Sequence, residues 1–308
     1  MYKIAKPLFI HCQTPMHAGS GDDLGIVDLP IQRESHTHYP KIEASSLKGA
    51  IRESFEEIAK TDDDFTKIHV AFGFDGAYMP KENVKKKFER SEDQDFAGAL
   101  GFSDARLLLF PLKSMRGVFV WATCGKVLRR LSSEMSELCK KTTVLKEVDV
   151  PENKVIAADK APLSIIGNKI QLEEYSFDIE DNADAKAIAA ELATLTGITE
   201  LKQKLVILPD DVFSYFVRNA TEVVTRIKID NATGTVASGA LFTEEYLPAE
   251  SVLYSLVLAS DVFSKVGKEH FGSGEAEKVM AYIETIGKVI QIGGNATLGK
   301  GIVKTKIA

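Results

Sequence analysis

The stretch "ARLLLFPLKSMRGVFVWATC" (105–124) decides how the rest of the chain is read. Two apolar runs, 105–113 and 117–124, flank Ser114-Met115-Arg116, and each has strand length. The helical pattern "GKVLRRLSSEMSELCKK" (125–141) follows directly. Upstream, residues 2–13 read as a buried strand centred on Leu8, Phe9 and Ile10. "ASSLKGAIRESFEEIAK" (44–60) sets Leu47, Ile51, Phe55 and Ile58 on one helical face, with Ser45 or Ser46 as its cap. Strand, helix, strand, strand, helix opens the split βαβ arrangement of ferredoxin-like (RRM-like) folds. "SVLYSLVLAS" (251–260) is the expected fourth strand, so the fold class is α+β.

The remaining segments decorate that order. Residues 61–100 are charge-rich and glycine-punctuated, which predicts a surface insertion in which "TDDDF" (61–65) is a solvated turn. Residues 143–182 alternate weakly. Helices are predicted over 183–197, closed by Gly197, and over 210–224. "TRIKIDNATGTVASGALF" (225–242) predicts a hairpin turning at Asn231–Gly234. "EAEKVMAYIETIGKVIQIGG" predicts a last helix and "GIVKTKIA" a last strand. A short echo pairs Ser-Leu-Lys-Gly (46–49) with Ser-Met-Arg-Gly (114–117), which four positions cannot separate from coincidence. The whole reads as one domain, 1–308.

Composition is that of a soluble globular protein: 44% hydrophobic and 27% charged residues. No apolar run reaches membrane-spanning length and no signal peptide is expected, so a cytoplasmic location is predicted. Cys12, Cys124 and Cys139 are far apart and form no CxxC pair, which argues against disulfides and a zinc site. Asn-x-Thr triplets at Asn219, Asn231 and Asn295 then read as chance matches. A net charge of −6 speaks against a free-standing nucleic-acid binder but not against a local basic groove. Lys48 and Arg52 lie one helical turn apart, Lys113 and Arg116 sit at the strand junction, and Arg226, Lys228, Lys300 and Lys304 extend the set. With interleaved Phe and Tyr, such cations suit an RNA backbone with stacked bases.

Three stretches could carry chemistry. "QIGGNATLGKGIVK" (291–304) brings Gly293, Gly294, Gly299 and Gly301 around Lys300, letting backbone N–H groups approach a phosphate. It lacks GxxxxGK[ST] and follows a helix, so it is not a P-loop. "HAGSGDDLGIVDLPIQRE" (17–34) gathers His17, Asp22, Asp23 and Asp28, although neighbours in a glycine-rich loop need not converge on a metal. In "FTEEYLP" (242–248), Glu244 and Tyr246 fall on one face if the segment is extended.

These stretches, taken together, resemble the RAMP superfamily. Within it the likeness is to the repeated backbone subunit of type III-B CRISPR (Cmr) RNA-guided complexes. It rests on "TPMHAGSGDDLGIVDLPIQRE" (14–34), "SSLKGAIRE" (45–53), "FPLKSMRGVFVWATC" (110–124), "SGALFTEEYLP" (238–248) and "IGGNATLGKG" (292–301), in the family's order. Segments 61–100 and 143–215 match poorly. The resemblance implies an RRM-like palm with a projecting hairpin thumb, an insertion at about 61–100, and a thumb with its associated insertion at about 143–247. It implies self-association into a filament along CRISPR RNA beside other Cmr subunits. It also implies cleavage of single-stranded target RNA at regular intervals, where each thumb displaces a nucleotide pair.

Carried over by motif, the resemblance implies that Asp28 is the aspartate needed for cleavage. His17, Glu244 and Tyr246 complete the catalytic candidates. Lys48, Arg52 and Arg116, with Gly293, Gly294, Gly299, Lys300 and Gly301, are the RNA-binding candidates. Cleavage in the family depends on a divalent metal, which implies Mg²⁺ without naming a ligand. Cleavage by the RNA's own 2′-hydroxyl needs in-line geometry, a proton acceptor and donors to the phosphate. Asp28 could be the base, hold an ion, or pin the backbone; products would carry 2′,3′-cyclic phosphate and 5′-hydroxyl ends. The alternatives are a RAMP scaffold that only binds CRISPR RNA, and a stand-alone processing endonuclease.

Overall fold

In the computed structural model, which describes residues 2–21, 25, 27–74, 82–90, 96–272 and 275–308, one long sheet organises the chain. Its main elements, in chain order, begin with β1 (Ile4–Cys12), α1 (Ala44–Ile58), β2 (Ala105–Ser114), β3 (Val118–Cys124) and α2 (Gly125–Glu137). Next come β4 (Lys154–Ala157), β5 (Lys169–Leu172), β6 (Tyr175–Asp181), α3 (Ala183–Thr196), β7 (Leu205–Leu208) and α4 (Asp210–Asn219). The last are β8 (Glu222–Ile229), β9 (Val236–Tyr246), β10 (Val252–Ala259), α5 (Ala276–Ile283), β11 (Val289–Gln291) and β12 (Ile302–Ile307).

The strand order is β11-β12-β1-β10-β2-β3-β7-β4-β6-β5, and β5 returns to β2 through Ser114 and Leu172. Six strands, β2 to β5, therefore close into a ring. The β7–β3 and β6–β4 pairs are parallel; the other neighbours on this path are antiparallel. The weakly alternating stretch after residue 143 supplies three strands of this ring. Its inward residues Val155, Ala157, Ile170, Leu172 and Ile179 are buried. The mixed α+β class holds.

Several local expectations change. The expected fourth strand, β10, lies between β1 and β2 and pairs with both, which makes it internal to the sheet. Neither Ser45 nor Ser46 caps α1: the N-cap is Glu43, and the Asp104 carboxylate accepts from the Ala44 amide at 2.9 Å. Residues 61–65 are not a solvated turn. Thr61 and Asp64 form a capping box that starts a helix, Asp62–Phe72, with Ile68, Val70 and Phe72 buried. The helix foreseen over 210–224 stops at Asn219, and the hairpin already begins at Glu222. The echoed tetrapeptides differ in form, since 46–49 is helical while 114–117 ends β2 and turns into β3.

The hairpin β8–β9 stands apart as a two-stranded sheet of its own. Its register pairs Thr225 with Thr243 and Ile227 with Leu241, and Asp230 accepts from the Gly234 amide to close the turn. Val223, Ile227 and Leu241 are exposed on it. Among the described residues no helix is long and apolar enough to cross a membrane.

Candidate functional site

The end of β9, Thr243-Glu244-Glu245-Tyr246, is where the hairpin meets the body of the protein. Two parts of the long loop after β1 run against its free edge. Met16 exchanges both backbone hydrogen bonds with Leu247, and Leu29 bonds Thr243 O and Glu245 N. Side chains alternate along an extended strand, so Thr243 and Glu245 face one way and Glu244 and Tyr246 the other.

On the Thr243 face sits Asp28. Its Oδ2 accepts from the Thr243 amide at 2.7 Å and from the Thr243 hydroxyl at 2.9 Å, while its own amide donates to Thr243 Oγ1 at 3.0 Å. The Thr243 amide, and then its hydroxyl, hold the Asp28 carboxyl below its ordinary value. The same face carries the buried Glu245 carboxylate, which accepts from the Ile31 amide at 3.1 Å, from Arg33 and from the Thr221 hydroxyl at 2.7 Å.

The opposite face is one hydrogen-bonded unit. Glu244 accepts from Tyr246 and Arg226 on one oxygen and from Asn295 on the other. Arg226 and Asn295 also donate to the Tyr246 hydroxyl. Burial pushes the Glu244 carboxyl up, but the bonds from Tyr246, Asn295 and Arg226 outweigh it and hold the group below its ordinary value. Burial, then the Glu244 carboxylate, raises the Tyr246 phenol. Lys300 Nζ lies 4.8 Å from the Tyr246 ring centre, within cation–π range.

His17 joins this unit from the loop side. Its Nε2 is 3.7 Å from Glu244 Oε1, and its ring centre is 5.7 Å from that of Tyr246. Nδ1 lies 2.7 Å from the Glu245 carbonyl oxygen. A carbonyl only accepts, so Nδ1 carries the hydrogen and Nε2 is the nitrogen left to exchange a proton. The structure thus brings His17, Glu244 and Tyr246 together and sets Asp28 across the strand from them. Asp22 and Asp23 lie outside the described residues.

The glycine-rich loop is fastened to the same place. Gly294 N donates to His17 O and Gly301 N to Pro15 O. Gly293 (φ +88°) and Gly301 (φ +72°) are required by close approach: a Cβ would stand 2.3 Å from His17 O and 2.0 Å from Ile292 O, respectively. Gly299 also has positive φ, yet it faces open space.

The other predicted RNA contacts are dispersed. Lys48 is half-buried on α1, with burial and then the nearby Arg52 charge lowering its ammonium from the ordinary value. Arg52 is occupied, donating to Glu56, to Gly73 O and to His69 Nδ1. Arg116, at the tip between β2 and β3, is exposed and donates to Ser164 O.

Sequence reasoning passed over the residues that lock the site. Arg33 donates to Glu245, His38 O and Val217 O, and Arg130 with Thr37 holds the buried Glu34 carboxylate. Burial raises the Glu34 carboxyl, and the Arg130 and Thr37 bonds then bring it below its ordinary value. Asn295, which the sequence singles out only as one of three Asn-x-Thr triplets, bonds Glu244 directly.

Comparison with known proteins agrees with this architecture along the whole chain. The model of the RAMP superfamily matches residues 9–304. The Cmr endoribonuclease Cmr4 of Pyrococcus furiosus is 34% identical over 307 residues, covering 97% of this chain and 94% of that protein. The crystal structure of oligomeric Cmr4 from the same organism superposes with a TM-score of 0.70 at 27% identity, covering 99% of this chain and 98% of the other. A chain in the cryo-EM structure of the type III-B Cmr-β complex bound to cognate target RNA gives 0.73 at 25% identity, with 99% and 98% covered.

Proposed function

The chain belongs to the RAMP superfamily, and on that footing we propose that it is a repeated backbone subunit of a type III-B CRISPR (Cmr) complex. It binds CRISPR RNA, associates with copies of itself and with other Cmr subunits, and cleaves single-stranded target RNA as an endoribonuclease. The likeness to Cmr4 over nearly the full length of both proteins supports this reading. β12-β1-β10-β2, backed by α1 and α5, has the strand order of a ferredoxin-like palm. The hairpin β8–β9 is the thumb, and its exposed apolar side chains suit a wedge between nucleotides.

The observation that carries the site is Asp28 fixed on Thr243 at the root of that thumb. Among the described residues nothing takes its Oδ1. A carboxylate held below its ordinary value is ionised at neutral pH and a weak base. Ionised and fixed in place, it orients the 2′-hydroxyl and accepts its proton as the 2′-O–P bond forms and the P–O5′ bond breaks. The departing 5′-oxygen takes a proton from water or from protonated His17 to become the 5′-hydroxyl. A displaced nucleotide supplies the in-line geometry. His17 offers Nε2 as a second proton-exchanging atom, held by Glu244 and Tyr246. Lys48 places a half-buried positive charge for a phosphate, and Lys300 with the glycine-rich loop adds another contact to the RNA backbone.

The expected Mg²⁺ finds no ready cage. Among the described residues no three His, Cys, Asp or Glu side chains gather to hold a metal ion. One carboxylate such as Asp28 together with RNA phosphates is the type of ligand set Mg²⁺ takes, and no step above runs through it.

The test is target cleavage by assembled complexes. Asp28→Asn should bind target RNA as the wild type does and lose the regularly spaced cuts. Cutting at the wild-type rate would remove Asp28 from the site. Binding without cutting by the wild-type complex would instead favour a scaffold.

A further inference from the structure

We infer that Glu245 is a positioning residue for RNA cleavage, holding the Asp28 loop and the His17 ring in register with the thumb. The inference rests on the endoribonuclease reading above. Glu245 meets both halves of the site. Its carboxylate takes the Ile31 amide, Arg33 and Thr221, and its amide donates to Leu29 O at 3.0 Å. These bonds fasten the segment on both sides of Pro30, two residues beyond Asp28, to the base of the hairpin, where β9 ends. Its carbonyl meanwhile takes His17 Nδ1 at 2.7 Å, which fixes the ring's tautomer and aim.

The chemistry of the position supports the same conclusion. Glu245 is buried, and a buried carboxylate needs partners for its charge and lone pairs. Here the partners come from three separate segments: the loop (Ile31, Arg33), the start of β8 (Thr221 precedes Glu222), and through the main chain the His17 turn. Arg33 is tied in turn to His38 O and Val217 O, so the loop cannot slide as a unit. Glu245 touches neither Asp28 nor the expected path of the reacting atoms. It acts through the geometry it enforces.

Single-turnover cleavage by assembled complexes tests this, with Glu245→Ala, Glu245→Gln, Asp28→Asn and the double variant Glu245→Ala/Asp28→Asn. Displacing a reacting group by about 1 Å costs on the order of 100-fold in rate. Glu245→Ala should therefore slow cleavage on that scale while target affinity and cut spacing stay as in the wild type. Glu245→Gln, which keeps the shape and some of the acceptors, should fall between. Added to Asp28→Asn, the Glu245 change should cost almost nothing further, because both act on one step. Wild-type rates in Glu245→Ala, full additivity in the double variant, or parallel loss of assembly and target binding in both Glu245 variants would each overturn the inference. If the wild-type complex cuts but Asp28→Asn cuts equally well, the reading of Asp28 fails instead; if the wild type does not cut, the endoribonuclease reading fails.

Discussion

Asp28 and Thr243, 215 positions apart in the chain, are joined by three hydrogen bonds in which each residue both donates and accepts. A loop motif and a hairpin-strand motif, separate in sequence, become one structural unit at this contact. Removing the threonine's hydroxyl should let the aspartate relax. In Thr243→Val the Asp28 carboxyl should titrate closer to the ordinary aspartate value of about 3.9, because one of the two donors holding it down is gone. Carbon-detected carboxyl titration reads this directly, and an unmoved titration would contradict the cause given for the low value.

Glu34 and Glu244 link stability to acid. Both carboxyls titrate below their ordinary value when folded, so the unfolded chain binds more protons in the intervening range. Their contribution is fully present above about pH 5 and is lost as pH falls through the folded values. Glu34→Gln and Glu244→Gln should lower the denaturant midpoint at pH 7. They should also flatten its decline between about pH 5 and 3. A decline as steep as that of the wild type would assign the acid sensitivity elsewhere.

Arg130→Met should be more damaging than its position on α2 suggests. It leaves the Glu34 carboxylate buried with its strongest partner removed, and breaking such a pair costs about 3 kcal/mol or more. The double variant Arg130→Met/Glu34→Leu should recover much of that loss, since no buried charge remains. Equilibrium unfolding of the four proteins closes the cycle.

The glycines of the 292–301 loop should not be equivalent. Gly299→Ala carries only the left-handed backbone cost of about 1 kcal/mol. Gly293→Ala and Gly301→Ala add a Cβ overlapping a carbonyl oxygen, and each should cost about 3 kcal/mol. Thermal unfolding ranks them, and equal losses would refute the close-approach account.

Lys48 and Arg52, one turn apart on α1, should separate in function. Lys48→Glu should weaken guide RNA binding and reduce its salt slope by about 0.7, the value for one phosphate contact on a single strand. Arg52→Gln should leave that slope alone and lower stability by about 1 kcal/mol, since its donors serve Glu56, His69 and Gly73. Binding isotherms across a salt series test both.

Much of this was legible in the residues. Helix α1 and strands β1 to β3 and β10 followed from apolar periodicity, because their apolar residues go into the core, and the exposed hairpin followed from its turn residues. The ring was not legible: β4 to β7 are short, and their pairing depends on contacts far apart in sequence. Residues 61–65 misled because three consecutive aspartates read as solvent-facing, although their role is to start a helix whose next turns are buried. At the site, family motifs brought in Asp28, His17, Glu244 and Tyr246. No spacing rule could reveal that one strand divides them, or that Glu245 and Arg33 clamp the loop, since partners over 200 positions distant leave no local pattern.

The closed ring also bears on how the chain behaves on its own. Closure removes the free edge at one end of the long sheet, and the other end is the three-residue strand β11. The hairpin is different: among the described residues β8 pairs with β9 alone, and its outer edge lies open beside exposed Val223 and Ile227. Open edges with apolar side chains are templates for unwanted strand pairing. On the function proposed above, a surplus of this chain made without RNA should aggregate through the hairpin first, and RNA lying along the hairpin would shield that edge.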